Sequence, residues 1–200
     1  INRANLILKH IPEMDSYPSN GDGAMAEAYT MRALCYFYLV RIWGDAPLFL
    51  DPVETYDEAE HMRERTSVDV ILDQVLEDLH AADELFSIPG STLNRNHLNK
   101  GAAYALEMDV LCWRHDYAGA IRHYESKIAP LYSGGAFAFA DIVPTGDDEA
   151  SATRWRDIVL DGSDSKEVYF ALLYDYSKDG TETTYYNMLG MTASNYRVKD

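Results

Sequence analysis

AMAEAYTMRALCYFYLVRIWGDAPLFLDP, residues 24–52, is the stretch on which the fold turns. Ala24, Ala28, Met31, Leu34, Cys35, Tyr38 and Ile42 recur every three or four positions, the period of a helix that buries one face. Glu27, Arg32 and Arg41 fall largely off that stripe. Gly44 is the expected C-terminal cap, since glycine takes a left-handed backbone with least strain. Pro47 prevents the helix from resuming, and the chain should run extended through Leu48, Phe49 and Leu50 to Pro52. A helix this rich in aromatics is not stable alone, so other elements must cover it.

On the N-terminal side, Ile1, Ala4, Asn5, Ile7, Leu8 and Ile11 predict a preceding helix, and residues 12–23 concentrate the Pro, Ser, Asn, Asp and Gly of a loop. On the C-terminal side, residues 51–66 form a charged connection. Thr66 or Ser67 can cap a second helix, with Asp69 supporting its first turn. Ile71, Leu72, Val75, Leu79, Ala82 and Phe86 line its apolar face, the other face is acidic, and Pro89 and Gly90 end it. Asn96 opens a third helix with Leu98, Ala102, Ala105, Met108, Leu111 and Cys112 on one side. After a break at Arg114, His115 and Asp116, a fourth helix is capped by Asp116 and striped by Tyr117, Ala120, Ile121, Tyr124 and Ile128. Small residues at 102, 105 and 120 let neighbouring helices approach closely. From residue 130 the helical period is lost. Val168, Phe170 and Leu172 alternate with Tyr169 and Ala171, predicting a short strand near 167–174.

The order Ala26-Glu27-Ala28, Arg32-Ala33, Tyr36-Phe37, Leu39-Val40-Arg41, Gly44-Asp45-Ala46-Pro47-Leu48 closely resembles the signature helix of the SusD/RagB family. Residues 1–11 resemble the helix that precedes it. Asp116-Tyr117, Ala120-Ile121 and Tyr124 resemble the second helix of a tetratricopeptide repeat, with residues 24–43 and 67–86 as a divergent copy. Asp164-Ser165-Lys166-Glu167 resembles a further family segment, from which Lys166 departs. The resemblance implies a mostly α fold of tetratricopeptide-like hairpins over 1–129, with a loop-rich, partly extended segment over 130–200. It also implies a single SusD-like region, incomplete at both ends, because family members are more than twice this long. Such proteins are non-catalytic, surface-exposed lipoproteins of the Bacteroidetes outer membrane. They capture glycans and pass them to a SusC-like TonB-dependent transporter. Their lipidated N-terminal cysteine is not in this sequence, which is read as an internal fragment of a mature protein.

Composition narrows the alternatives. A formal charge of −16 opposes nucleic acid and anionic lipid as partners, both of which need clustered Lys and Arg. No apolar run reaches the eighteen or so residues that span a bilayer, and no signal peptide opens the chain. Cys35 and Cys112 fall on the apolar sides of their helices and read as small buried hydrophobes rather than a disulfide.

The acid pairs Asp57/Glu58, Glu77/Asp78, Asp83/Glu84 and the run Asp147–Glu149 fall on solvated faces or turns, not opposed across a sugar as a glycosidase requires. The histidines at 61, 80, 97, 115 and 123 lack zinc-ligand spacing. Asp147, Asp148 and Glu149 lack the alternating ligands of an EF-hand, although a loop calcium there stays open. No nucleophile motif or cofactor loop is present. Sugars instead call for exposed flat aromatics beside planar polar groups. The helical aromatics Tyr29, Tyr36, Phe37, Tyr38, Trp43, Tyr104, Trp113, Tyr117 and Tyr124 are expected to pack in the core. The candidate ligand residues are therefore the loop side chains Trp155, Tyr174, Tyr176, Tyr185, Tyr186, Asn187 and Tyr196. The rival reading keeps the same helix pairs as a protein–protein scaffold without sugar binding.

Overall fold

The computed structural model describes residues 1–55, 62–87, 96–138 and 168–170. In chain order these form α1 (Asn2–Glu13), α2 (Gly21–Trp43), α3 (Val68–Leu85), α4 (Lys100–Trp113) and α5 (Tyr117–His123). A π-helical turn, Tyr124–Ile128, and the short α6 (Ala129–Ser133) continue without a break. Among the described residues there is no strand, only an isolated antiparallel bridge between Ala46 and Thr66. Of the strand expected near 167–174, only Val168, Tyr169 and Phe170 are described, and they run irregularly.

Among the described helices, α3, α4 and α5 each run antiparallel to the preceding one. Arg32 in the middle of α2 meets Asp78 in α3, while Asp45, just past α2, meets Val68 at the start of α3. Arg114 reaches Asp73 and Tyr104 reaches Asp83, which reverses α4 on α3. The ring of His123 meets the Tyr104 carbonyl, which reverses α5 on α4. The result is the mostly α array of helical hairpins that the sequence predicts, with α2 against α3 as its most extensive interface.

That interface holds the core. Ala33, Tyr36, Phe37 and Val40 of α2 pack with Ile71, Leu72, Val75 and Leu79 of α3 and with Ala103 and Val110 of α4. Each large apolar side chain buried there contributes about 1.5–3 kcal/mol. The buried face of α2 is therefore not the expected one. Ala28 is buried, but Met31, Tyr38 and Ile42 are exposed and Leu34 and Cys35 half-buried, whereas Arg32 is only 6% exposed. Apolar residues occur nearly all round α2, so periodicity alone did not choose the face; the partner for Arg32 did.

Arg32 donates from Nε and Nη2 to the two carboxylate oxygens of Asp78, at 2.8 and 2.6 Å. Its Nη1 donates to Asn5 Oδ1 on α1 at 3.0 Å and to the Leu50 carbonyl at 3.3 Å. Burial works against the guanidinium charge, but the hydrogen bond and charge of Asp78 outweigh it and raise the Arg32 pKa. The segment after α2 is strapped down by the same neighbours. Asn5 donates to the Phe49 and Asp51 carbonyls, the Tyr36 hydroxyl lies 3.0 Å from the Phe49 carbonyl and 2.6 Å from its N–H, and Asn2 pairs both ways with Val53.

Local details correct several other expectations. α1 runs through Pro12 and α2 begins at Gly21, so the loop between them is shorter than residues 12–23. Gly44 does take positive φ, +69°. Ser67 sits at the N-cap of α3 without a side-chain cap bond; the Val68 N–H donates instead to Asp45 Oδ1 at 3.0 Å. α4 is capped by Asn99, not Asn96, with Asn99 Oδ1 accepting from the Ala102 N–H. The break at 114–116 contains His115 at φ +61°, and Asp116 caps α5 as expected. Val110, which no apolar stripe included, is fully buried, while Cys112 is exposed, and both cysteines are free thiols. On α5 and the turn after it, Tyr117, Ile121 and Tyr124 are exposed, and Gly119, Ala120, His123 and Ile128 are buried. After the wider π-helical turn, Ile128 and Leu131 pack with Tyr104 and Phe137 in a second, smaller core. A Cβ at Gly101 would overlap the Phe137 ring there.

Asp83 ties α3 to α4 and to the π-helical turn. It accepts from Tyr104 Oη at 2.5 Å and Lys127 Nζ at 2.6 Å, and Lys100 Nζ lies 2.9 Å away. Burial alone would raise its pKa, but the bonds from Lys127, Tyr104 and Lys100 overcome this and hold it at about 2.

This packing sets three expected outcomes. Asp78→Ala leaves a buried guanidinium unpaired and should cost about 3–5 kcal/mol in urea unfolding, whereas the apolar double variant Arg32→Met/Asp78→Leu should recover most of it. Gly101→Ala should cost about 1–3 kcal/mol by overpacking, read by the same assay. Because the folded-state pKa of Asp83 lies below its unfolded value, its stabilisation is present above about pH 4 and lost as pH falls towards 2. Asp83→Asn should therefore lower the melting temperature at pH 7 and converge with wild type near pH 2.

Candidate functional site

Trp155, Tyr174, Tyr176, Tyr185, Tyr186, Asn187 and Tyr196 all lie outside the described residues, as does the Asp147–Glu149 run. The helical aromatics divide. Tyr36, Phe37 and Tyr104 are core residues as expected, but Tyr38, Trp43, Trp113, Tyr117 and Tyr124 are between 40% and 61% exposed. Tyr38 and Trp113 flank Arg41, whose guanidinium carbon sits 5.0 Å from the Phe37 ring centre, 5.6 Å from Tyr38 and 5.5 Å from Trp113. Asp109 stands 3.5 Å from the same guanidinium. Such stacking holds a long side chain in one orientation while leaving ring surface in contact with water.

Two open grooves flank α1. The larger, about 750 Å³, lies between the start of α1, the middle of α2 and the strap, against Leu39, Pro47, Phe49 and Val53. Its polar side chains are already engaged: Asn2, Asn5 and Tyr36 hold the strap backbone, and Glu54 is paired with Lys9 at 2.6 Å. The smaller, about 420 Å³, lies on the other side of α1, between α1, α2 and the turn before α4. It is floored by alanines, walled by Ile7, Met31, Leu98 and Phe170, and edged by Arg3, Glu27 and His97. Glu27 Oε2 and His97 Nδ1 face each other across its edge at 3.3 Å.

The titratable groups that cluster are engaged in structure. Asp83 is held ionised by two lysines and a tyrosine. Burial raises the carboxyl of Glu107, but the hydrogen bond from His123, with a further contribution from His80, brings it below its ordinary value. Neither is the carboxyl of raised pKa that general acid catalysis uses. Among the described residues no three His, Cys, Asp or Glu side chains converge on a metal-sized site, and no helix is long and apolar enough to cross a membrane. The described surface offers grooves and exposed aromatic faces.

Two features escaped the sequence reading. Arg32 and Asp78 each stand inside an apolar run, Arg32 between Ala28 and Tyr36 and Asp78 between Val75 and Leu79; that opposite-sign coincidence was the available signal. The small groove is made by residues from three separate segments and left no local signature.

Comparison with known proteins bears on what the array is. The SusD-like family model described as "Starch-binding associating with outer membrane" matches residues 1–108. SusD-like protein P38 of Formosa agariphila is 26% identical over 190 residues, covering 91% of this chain and 34% of that protein. The crystal structure of a SusD-like protein from Bacteroides fragilis superimposes with a TM-score of 0.70 at 25% identity, over 90% of this chain and 32% of that one. A laminarin-binding SusD-like protein superimposes with a TM-score of 0.56 at 25% identity, over 62% of this chain and 27% of that one. The chain thus spans about a third of the length of these relatives. With more than half of its residues matched by one family model and its helices laid out as in that family's solved structures, the chain belongs to the SusD-like family of outer-membrane-associated proteins.

Proposed function

We propose that the protein to which this chain belongs captures oligo- or polysaccharide at the cell surface without transforming it, and delivers it to a SusC-like TonB-dependent transporter. The observation that carries this reading is the family match over residues 1–108, joined to a structural relative that binds laminarin. The geometry is consistent with it: open grooves, aromatic faces in water and acids bound up in ion pairs suit holding a ligand more than cleaving one. In this reading an N-terminal lipid holds the protein to the outer membrane. Trp155, Tyr174, Tyr176, Tyr185, Tyr186, Asn187 and Tyr196 supply stacking faces and hydrogen bonds to the glycan, and no cofactor or metal takes part. The helical array faces the transporter.

A second reading has a specific observation in its favour. Tyr117, Ile121 and Tyr124 form an exposed apolar row along α5 and the turn after it, the kind of surface that tetratricopeptide-like scaffolds offer to proteins. On that reading the array binds a protein and no sugar.

Affinity electrophoresis of the full-length protein through laminarin, starch and xylan separates the two. Glycan capture predicts retardation in at least one gel, no new reducing ends on incubation, and retardation weakened between about twofold and tenfold by alanine at Tyr185 or Tyr186, the loss of one stacking contact. Free migration in every gel, or intact glycan uptake after deletion of the gene, would reject it.

A further inference from the structure

We propose that the smaller groove, between α1, α2 and the turn before α4, seats one or two units of an uncharged glycan. This rests on the reading of the protein as a glycan binder and assigns that binding a place within the described helices. At about 420 Å³ the groove lies in the size range of small-ligand sites, about 300–1,000 Å³. Its depth comes from Ala4 and Ala28, buried small side chains at the contact of α1 with α2. Ile7 and Met31, both partly exposed, stand as apolar walls, and Phe170 brings a ring to the same space. A pyranose presents an apolar face of C–H groups that such walls accept.

The edge of the groove decides the ligand's charge. Arg3 offers donors, Glu27 offers acceptors and His97 lies opposite Glu27, so the edge carries both signs. An anionic sugar would meet Arg3 but be opposed by Glu27; a cationic one would meet the reverse. Neutral hydroxyls both donate and accept, and use both. The chain's formal charge of −16 also disfavours polyanions at long range. The Glu27–His97 contact is long and lies between side chains 39% and 64% exposed, so a ligand hydroxyl can replace it at little cost. The larger groove lacks this equipment, because its asparagines and tyrosine are already bonded to the strap.

The test uses the full-length protein in gels containing laminarin, starch, xylan or the polyanion alginate, with Glu27→Ala and Arg3→Ala beside wild type. Both substitutions are at the surface, and unchanged melting temperatures confirm that folding is intact. The expected result is retardation of wild type by a neutral polysaccharide and not by alginate, weakened about tenfold or more in each variant, the effect of removing one ligand hydrogen bond. Retardation equal in wild type and both variants would overturn this seat while leaving glycan capture in place. Retardation by alginate alone would overturn the charge assignment. No retardation of wild type in any gel would reject glycan capture itself, and this seat with it.

Discussion

A single buried guanidinium fixes how the first three helices meet. Arg32 is shared among Asp78 on α3, Asn5 on α1 and the Leu50 carbonyl of the strap, so four segments distant in sequence converge on one planar group. Two charges taken out of water add little net stability over well-packed apolar residues. What the fork geometry adds is uniqueness. Five donors in a fixed plane accept only one register of α3 against α2, whereas an α2 apolar on nearly every side could pack several ways. Gln74 completes the arrangement by donating to Asp78 from one turn away.

The strap obeys the same constraint. A segment without helix or strand must find partners for its backbone N–H and C=O groups elsewhere. Here they come from Asn2 and Asn5 on one side and Tyr36 on the other. These side chains are thereby consumed, which leaves the broad groove beside the strap apolar. The narrower groove across α1 has no strap to hold, and its charged edge faces water. The contrast between the two grooves is thus a matter of which polar groups the fold has already used.

Much of this was legible in the sequence. The signature helix, its stop at Gly44 and Pro47, the amphipathic stripe of α3 and the Asp116 cap rest on local physics, and local physics shows in short windows. The buried face of α2 did not, because Met31, Tyr38 and Ile42 keep the same period as Ala33, Tyr36 and Val40 and differ only in what lies opposite. Tyr117, Ile121 and Tyr124 misled in the same way, marking a regular apolar row but not its fate. Pairings across forty or more residues, such as Arg32 with Asp78 or Asn99 with the Tyr169 carbonyl, carry no local signal at all. The stacking residues expected in the C-terminal third fall outside the described residues.

The bridge between Ala46 and Thr66 has an evolutionary corollary. Two reciprocal backbone bonds, with Asp45 capping α3 and its carbonyl taking Arg65, clip the excursion between those residues at its neck. Closing a flexible loop grows dearer only slowly with length, by about 0.6 kcal/mol per doubling. Descendants of this fold can lengthen or reshape the far side of the excursion while the hairpin beneath keeps its register. Changes in length between Ala46 and Thr66 can accumulate without any renegotiation of the core.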